Sequence, residues 1–313
     1  MTKARALALA VTIPFSFGLL VASAQAQSVR TYVSSVGNDG NNCGRLTPCR
    51  TFQAAHDKTL AGGEITVLDQ GNFAQLTITK SISIINEGIG QASILVGNGD
   101  TGLTVNAPNA KVNLRGLTIE GVGDSRGMLV SSVLSLTMAN CIVRNMTGDG
   151  IDVAPPVNTS VTFTVSNTVV SDNGGNGIYI APTGGGGKLV AVFNRMEMYN
   201  NSAHGLGLAS NGTVYINGAV TESVSANNGM AGFVVSAPGG GLPSKLSIVR
   251  SVAFSNGTRG AQSDGAGATI VLSENLMQDN KLGTDFDSTN LGTVATYGDN
   301  MAHGFGNFSL SKR

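Results

Sequence analysis

The sequence predicts an all-β solenoid, a chain that coils and stacks short strands on itself. Three observations carry this. Glycine is abundant, 43 of 313 residues, while charged residues are only 12% and tryptophan is absent; that is about twice the usual glycine and half the usual charge. Glycines recur at Gly127, Gly150, Gly177, Gly205, Gly232, Gly260 and Gly283, every 23 to 28 residues. Around them apolar residues alternate, as in Ile151/Val153, Ile178/Ile180 and Leu206/Leu208, which marks strands and not helices. A self-similar period of this length, too short to bury a face alone, finds its core by stacking.

The chain begins MTKARALALAVTIPFSFGLLVASAQAQ. Lys3 and Arg5 precede a mostly apolar run that ends in Ala24-Gln25-Ala26, the pattern of a secretory signal over residues 1–26. No later stretch is apolar enough to span a bilayer as a helix, so residues 27–313 are expected to form one exported β-helix domain, secreted or periplasmic. The 19 basic and 19 acidic residues balance, and no basic stripe suggests nucleic acid.

Residues 43–63 are expected to hold a disulfide loop and a capping helix. Cys43 and Cys49 flank GRLTP, and in an exported protein they read as a disulfide. A metal site is the rival, but only His56 lies close. The third cysteine, Cys141, reads as a buried thiol. PCRTFQAAHDKTLAGG predicts a short helix with Thr51 as N-cap, Phe52, Ala55 and Leu60 facing the first coil, and Gly62-Gly63 as the stop.

Residues 64–310 are expected to form the coils. In register they place Ile151, Ile178, Leu206 and Phe233 in one interior column and Val153, Ile180, Leu208 and Val235 in another. Val170, Met198 and Met277 make a third. Asn173, Asn201, Asn228 and Asn256 each stand four residues before a repeat glycine, where stacked amides bond from rung to rung. The glycines are expected at positive φ in the turn. Ala154-Pro155, Ala181-Pro182 and Ala237-Pro238 end strands. The tail FGNFSLSKR is expected to add an edge strand.

The helix TFQAA, the segment AGGEITVLDQGNF, the strand LTITKSISI and the N-x-x-x-G-apolar-x-apolar rungs together resemble the right-handed parallel β-helix proteins of the pectin-lyase-like superfamily, over roughly residues 30–290. The resemblance implies carbohydrate lyases, hydrolases and epimerases, but also adhesins and inert scaffolds. Fold alone does not choose among them.

The chemical motifs of such enzymes are incomplete here. Ala203-His204-Gly205 stands where a polygalacturonase-like site has G-H-G, and no D-D or R-I-K occurs. The R-x-P-x-x-R setting of pectate lyases and the D-P-H-E of alginate epimerases are also missing. GGGGKL at 184–189 lacks the spacing and the Ser or Thr of a phosphate loop. In Gly174-Gly175-Asn176-Gly177-Ile178-Tyr179, tyrosine replaces the aspartate of a calcium-binding nonapeptide. No metal site and no cofactor are expected.

Two polar columns remain. The residues before the glycines are Arg126, Asp149, Asn176, His204, Ala231 and Arg259. Those two after are Asp152, Tyr179, Gly207, Val234 and Gln262, expected to point outward. Asp149 and His204 would stand two rungs apart, about 10 Å, to be bridged by a substrate. The candidate catalytic residues are therefore Asp149, Asp152, Asp172 and His204, and the candidate ligand-binding residues Asn176, Tyr179 and Tyr199. Equally, all of these serve as ordinary solvated turn and strand-face residues.

Two readings stand. One is a noncatalytic envelope or extracellular scaffold that binds glycans, whose partner is an extracellular or cell-envelope polysaccharide. The other is a lyase, hydrolase or epimerase with a divergent site, acting on an acidic polysaccharide. Acidic, basic and aromatic side chains packed in one groove favour the enzyme; a smooth face of Ser, Thr, Asn and Gly favours the scaffold.

Overall fold

The computed structural model describes residues 27–303 except 98, 124, 159, 240 and 282. The expected signal segment and the tail after His303 lie outside the described residues. The chain forms a parallel β-solenoid of about ten turns. Each repeating turn has three strands, as in Ser135–Ala139, Ile142–Arg144 and Ile151–Val153. The first two kinds belong to a broad 19-stranded sheet, the third to a narrow nine-stranded one.

Alternation drives each strand into place. Along Ser160–Ser171, Val161, Phe163 and Val165 are buried while Thr162 and Thr164 face out. Stacking then aligns like with like. Ile151, Ile178, Leu206 and Phe233 are consecutive partners across the narrow sheet, as are Val153, Ile180, Leu208 and Val235, and all eight are essentially buried. Each such side chain contributes about 1.5–3 kcal/mol on leaving water. The third expected column is also present, but between Met198 and Met277 it passes through Ser225 and Ala253. Ser225 satisfies its buried hydroxyl by donating to Gly232 O at 2.8 Å.

The asparagine ladder forms as expected. Nδ2 of Asn173, Asn201, Asn228 and Asn256 donates to Oδ1 of the asparagine one rung on, at 2.8, 2.9, 3.0 and 3.0 Å. The last of these acceptors is Asn280, whose Nδ2 donates to Asp285 Oδ1 at 2.8 Å.

The glycines differ from expectation. Gly127, Gly150, Gly177, Gly205, Gly232 and Gly260 are not at positive φ. Glycine is needed because the rungs touch there: a Cβ on Gly150, Gly177 or Gly205 would sit 2.7 Å from the carbonyl oxygen of the next glycine in the column. Gly283 is not in this column. Ala261 pairs with Phe286, so Asp285 takes the place after Gly260, while Gly283 lies in a turn at φ 71°. The left-handed corners are instead made by Asn140, Asn167, Arg195, Glu222, Arg250 and Glu274, and again by Asn145, Asp172, Asn200, Asn227, Ser255 and Asp279.

At the N-terminal end the disulfide Cys43–Cys49 is formed, with Cα atoms 4.7 Å apart. Cys141 is a buried free thiol, its pKa pushed up to about 11 by burial. The helix spans Phe52–Lys58, and the Thr51 side chain accepts from Ala54 N at its start. Phe52 and Ala55 are fully buried. The helix stops earlier than expected, because Thr59 opens a strand and its hydroxyl meets that of Thr31 at 2.7 Å. Leu60 is consequently 39% exposed.

Candidate functional site: the polar face of the narrow sheet

The narrow strands are three or four residues long around this region, so each offers one main outward side chain between two buried ones. Asp152, Tyr179, Gly207, Val234, Gln262 and Asp287 follow one another in strict register. Val234 is nearly covered, at 9% exposure. Beside this column runs the one before the glycines. Backbone bonds fix it, since the N–H groups of Gly127, Gly150, Gly177, Gly205 and Gly232 donate to the carbonyls of Asp149, Asn176, His204, Ala231 and Arg259.

The two columns interlock. Arg126 reaches Asp152 on the next rung, Nη1 to Oδ2 3.5 Å, and Arg259 reaches Asp287 in the same way at 2.7 Å. Asp149 Oδ1 accepts from Asn176 N at 2.6 Å and Nδ2 at 3.0 Å. Asn176 Oδ1 accepts from His204 N at 3.2 Å, and His204 Nδ1 accepts from Ala231 N at 3.1 Å. Asn176 thus bridges Asp149 and His204, where a substrate was expected to do so. A ring whose Nδ1 accepts is neutral and carries its proton on Nε2; burial also holds the His204 pKa below the ordinary value.

Tyr179 occupies the space that a side chain at 207 would fill. A Cβ on Gly207 would lie 3.0 Å from Tyr179 Cδ2. Burial, followed by the charges of Asp149 and Asp152, raises the Tyr179 pKa. Burial likewise raises that of Asp152, opposed by Arg126 and reinforced by Asp149. Tyr179, His204, Gln262 and Asp264 line a cleft of about 240 Å³. Asp100, Arg126 and Asp149 line a recess of about 420 Å³ farther along the same sheet. Strands at ~4.8 Å spacing set the two separate recesses, which together are the narrow-sheet groove, along on the order of 30 Å of sheet from Asp100 to Asp264.

Asp149, Asp152, Asn176, Tyr179 and His204 therefore come together. Asp172 and Tyr199 do not join them. Asp172 is a left-handed corner whose Oδ1 accepts from Asn200 Nδ2 at 3.0 Å. Tyr199 lies on the broad sheet and donates its hydroxyl to Glu197 at 3.0 Å; burial and then Glu197 push its pKa up to about 12. Neither lines the groove. Asp264 and Asp287 were not among the expected site residues. Asp287 becomes legible once Asp285, not Gly283, is aligned with Gly260.

The broad sheet presents a different surface. Thr162, Thr164, Val190, Val192, Asn217 and Ala219 face out on three successive rungs, an uncharged mixture of small polar and aliphatic side chains and not the Ser, Thr, Asn and Gly face expected of a scaffold. Among the described residues no group of three His, Cys, Asp or Glu is placed to hold a metal ion, and no helix is long and apolar enough to cross a membrane.

Stacked three-strand rungs with an asparagine ladder and a polar groove define the parallel β-helix class. The chain belongs to the right-handed β-helix family, whose model ("Right handed beta helix region") matches residues 62–218, and its fold is that of the pectin-lyase-like superfamily. It is similar in structure to an alginate lyase from Paenibacillus sp. str. FPU-7, with TM-score 0.66 and 14% identity, covering 91% of this chain and 100% of that one. A pectate lyase matches with TM-score 0.58 and 18% identity over 91% of this chain and 78% of its own. The A-module of a mannuronan C-5 epimerase from Azotobacter vinelandii matches with TM-score 0.53 and 16% identity over 80% and 88%. At these identities the likeness is one of fold. No curated protein sequence matches the chain.

Proposed function

We propose that this protein is a noncatalytic glycan-binding β-helix of the envelope or extracellular space, and that the narrow-sheet groove holds the glycan. The neighbours named for lyase and epimerase activity act on polysaccharides, which supports carbohydrate as the ligand. The Cys43–Cys49 disulfide supports an oxidising compartment. The observation that carries the reading is Tyr179, a half-buried ring laid over Gly207 and flanked by Asp152 and His204. An aromatic face with hydrogen-bonding groups around it suits a sugar ring.

The groove's charge selects among glycans. Among the described residues on this face, Asp100, Asp149, Asp152, Asp264 and Asp287 outnumber Arg126 and Arg259, and both arginines are already paired. A carboxylate brought within about 8 Å of an unmatched aspartate meets roughly 0.5–2 kcal/mol of repulsion per pair. A neutral or amino-bearing glycan is therefore favoured over a polyuronate.

One observation favours the enzymatic reading: acidic, basic and aromatic side chains do meet in one groove. Against it, Asp149 serves Asn176, Asp152 serves Arg126, and Asp287 serves Arg259. The test is retention of the protein on mannan, chitosan, pectate and alginate. We expect neutral or amino-bearing polymers to retain it, and Tyr179→Ala to weaken retention about tenfold, the scale of one buried aromatic contact. Retention on pectate or alginate that Tyr179→Ala abolishes, or retention on the neutral and amino-bearing polymers that is indifferent to Tyr179→Ala, would refute this proposal.

A further inference from the structure

From Gly116 to Asn275, the corner between the two broad-sheet segments of a rung takes at most two residues outside a strand, and Ser160–Ser171 and Lys188–Tyr199 run through it unbroken. In an earlier rung, residues 86–91, Asn-Glu-Gly-Ile-Gly-Gln, stand between Ile82–Ile85 and Ala92–Val96. Insertions at a solenoid corner are where such folds carry binding functions.

This insertion is anchored at its first residue. Asn86 is only 6% exposed. Its backbone N–H donates to Arg115 O at 3.0 Å, and its Nδ2 donates to both Gly90 O and Gly116 O at 2.9 Å. Gly88 and Gly90 adopt φ of 90° and 89°, values open mainly to glycine. Gly116 lies so close to Asn86 O that no Cβ fits there. The clamp also leaves Asn86 Oδ1 buried without a hydrogen-bond partner among the described residues, a polar atom that burial normally pairs.

Beneath the loop lies a cleft of about 680 Å³. Thr118 and Ile142, register partners on adjacent rungs, form its floor, and Ile142 is 36% exposed. Arg115 and Arg144 line it, and so does one carboxylate, Glu87. Arg144 is matched by Glu120 at 3.2 Å. Arg115 is exposed and has no carboxylate partner among the described residues. Its forked guanidinium is suited to a carboxylate, sulfate or phosphate ester. Thr118 and Gln91 offer partners for hydroxyls, and Ile142 an apolar contact for a ring.

We propose that this cleft is a second binding site, specific for a sugar unit that bears an oxyanion. It lies on a different face from the narrow-sheet groove and does not rest on the function proposed for that groove. The purified protein is titrated with glucose, glucuronate and glucose phosphate by calorimetry. At least one anionic sugar binds and glucose does not; which of the two binds names the oxyanion. Arg115→Ala weakens binding about tenfold or more, as loss of a charge-assisted pair requires, with an unchanged unfolding midpoint. Arg115→Lys restores part of it, and Tyr179→Ala leaves it intact. Equal binding of glucose, no binding of either anion, or insensitivity to Arg115→Ala would overturn the proposal, and so would loss of binding in Tyr179→Ala.

Discussion

At Gly177 one hydrogen atom decides whether two rungs can stack. Replacing it by alanine places a Cβ 2.7 Å from Gly205 O, with Asn201 Nδ2 2.8 Å away. Backbone cannot yield as a side chain can, so we expect Gly177→Ala to cost about 3 kcal/mol, read by denaturant unfolding. Gly185, where an added Cβ meets nothing within 4 Å, is the control, and alanine there should change stability by less than about 0.5 kcal/mol. The sequence revealed where glycine recurs but not why, because the opposing carbonyl comes from a residue 28 positions later in the chain.

Two histidines are also read at this scale. Burial lowers the pKa of both His56 and His204 from 6.5. His56 accepts from Thr79 N at Nε2, 3.3 Å, and His204 accepts from Ala231 N at Nδ1, so each is held neutral. A depressed folded value means their contribution is complete above pH 6.5 and is lost as pH falls through the folded values. We expect unfolding free energy to decline on acidification below that point. In the double variant His56→Gln, His204→Gln this decline should be shallower, measured as denaturant midpoint against pH.

At the scale of the element, the asparagine ladder holds the turns that lead into the groove. Each interior Oδ1 takes two donors; Asn228 Oδ1 accepts from Asn201 N at 3.1 Å and Nδ2 at 2.9 Å. Asn228→Ala leaves both buried donors without that acceptor, at about 1–3 kcal/mol each. Hydrogen exchange of the Asn201 amide should accelerate with the global loss of stability. The ladder was legible in the sequence because the side-chain type repeats at a fixed offset from glycine. Its last step to Asn280 and Asp285 was not, since the final rung shortens and an aspartate takes the glycine's place. The helix end was misjudged for a related reason. Helical pattern continues to Leu60, but strand pairing of Thr59 outweighs local preference.

At the scale of the whole molecule, the same coil presents three chemically distinct surfaces. The broad sheet is mixed polar and aliphatic on the rungs from Thr162 to Ala219, the narrow sheet carries an acidic groove, and the cleft under residues 86–91 offers Arg115, which has no carboxylate partner among the described residues. Register converts sequence period into columns, so the interior and the two polar columns could be read in advance. The Arg126–Asp152 and Arg259–Asp287 pairs could not, because they link different columns on different rungs. Those pairs, with Asn176 on Asp149, leave the groove's carboxylates engaged, and that is the ground on which we propose binding and not turnover.

End-group analysis of polysaccharides held by the protein tests that assignment most directly. Neutral, amino-bearing and uronate polymers are incubated with it and scored for new reducing and unsaturated ends. We expect retention on a neutral or amino-bearing polymer with no ends above the protein-free control. Ends that accumulate with the native protein and vanish in Asp152→Asn or His204→Gln would contradict the noncatalytic assignment.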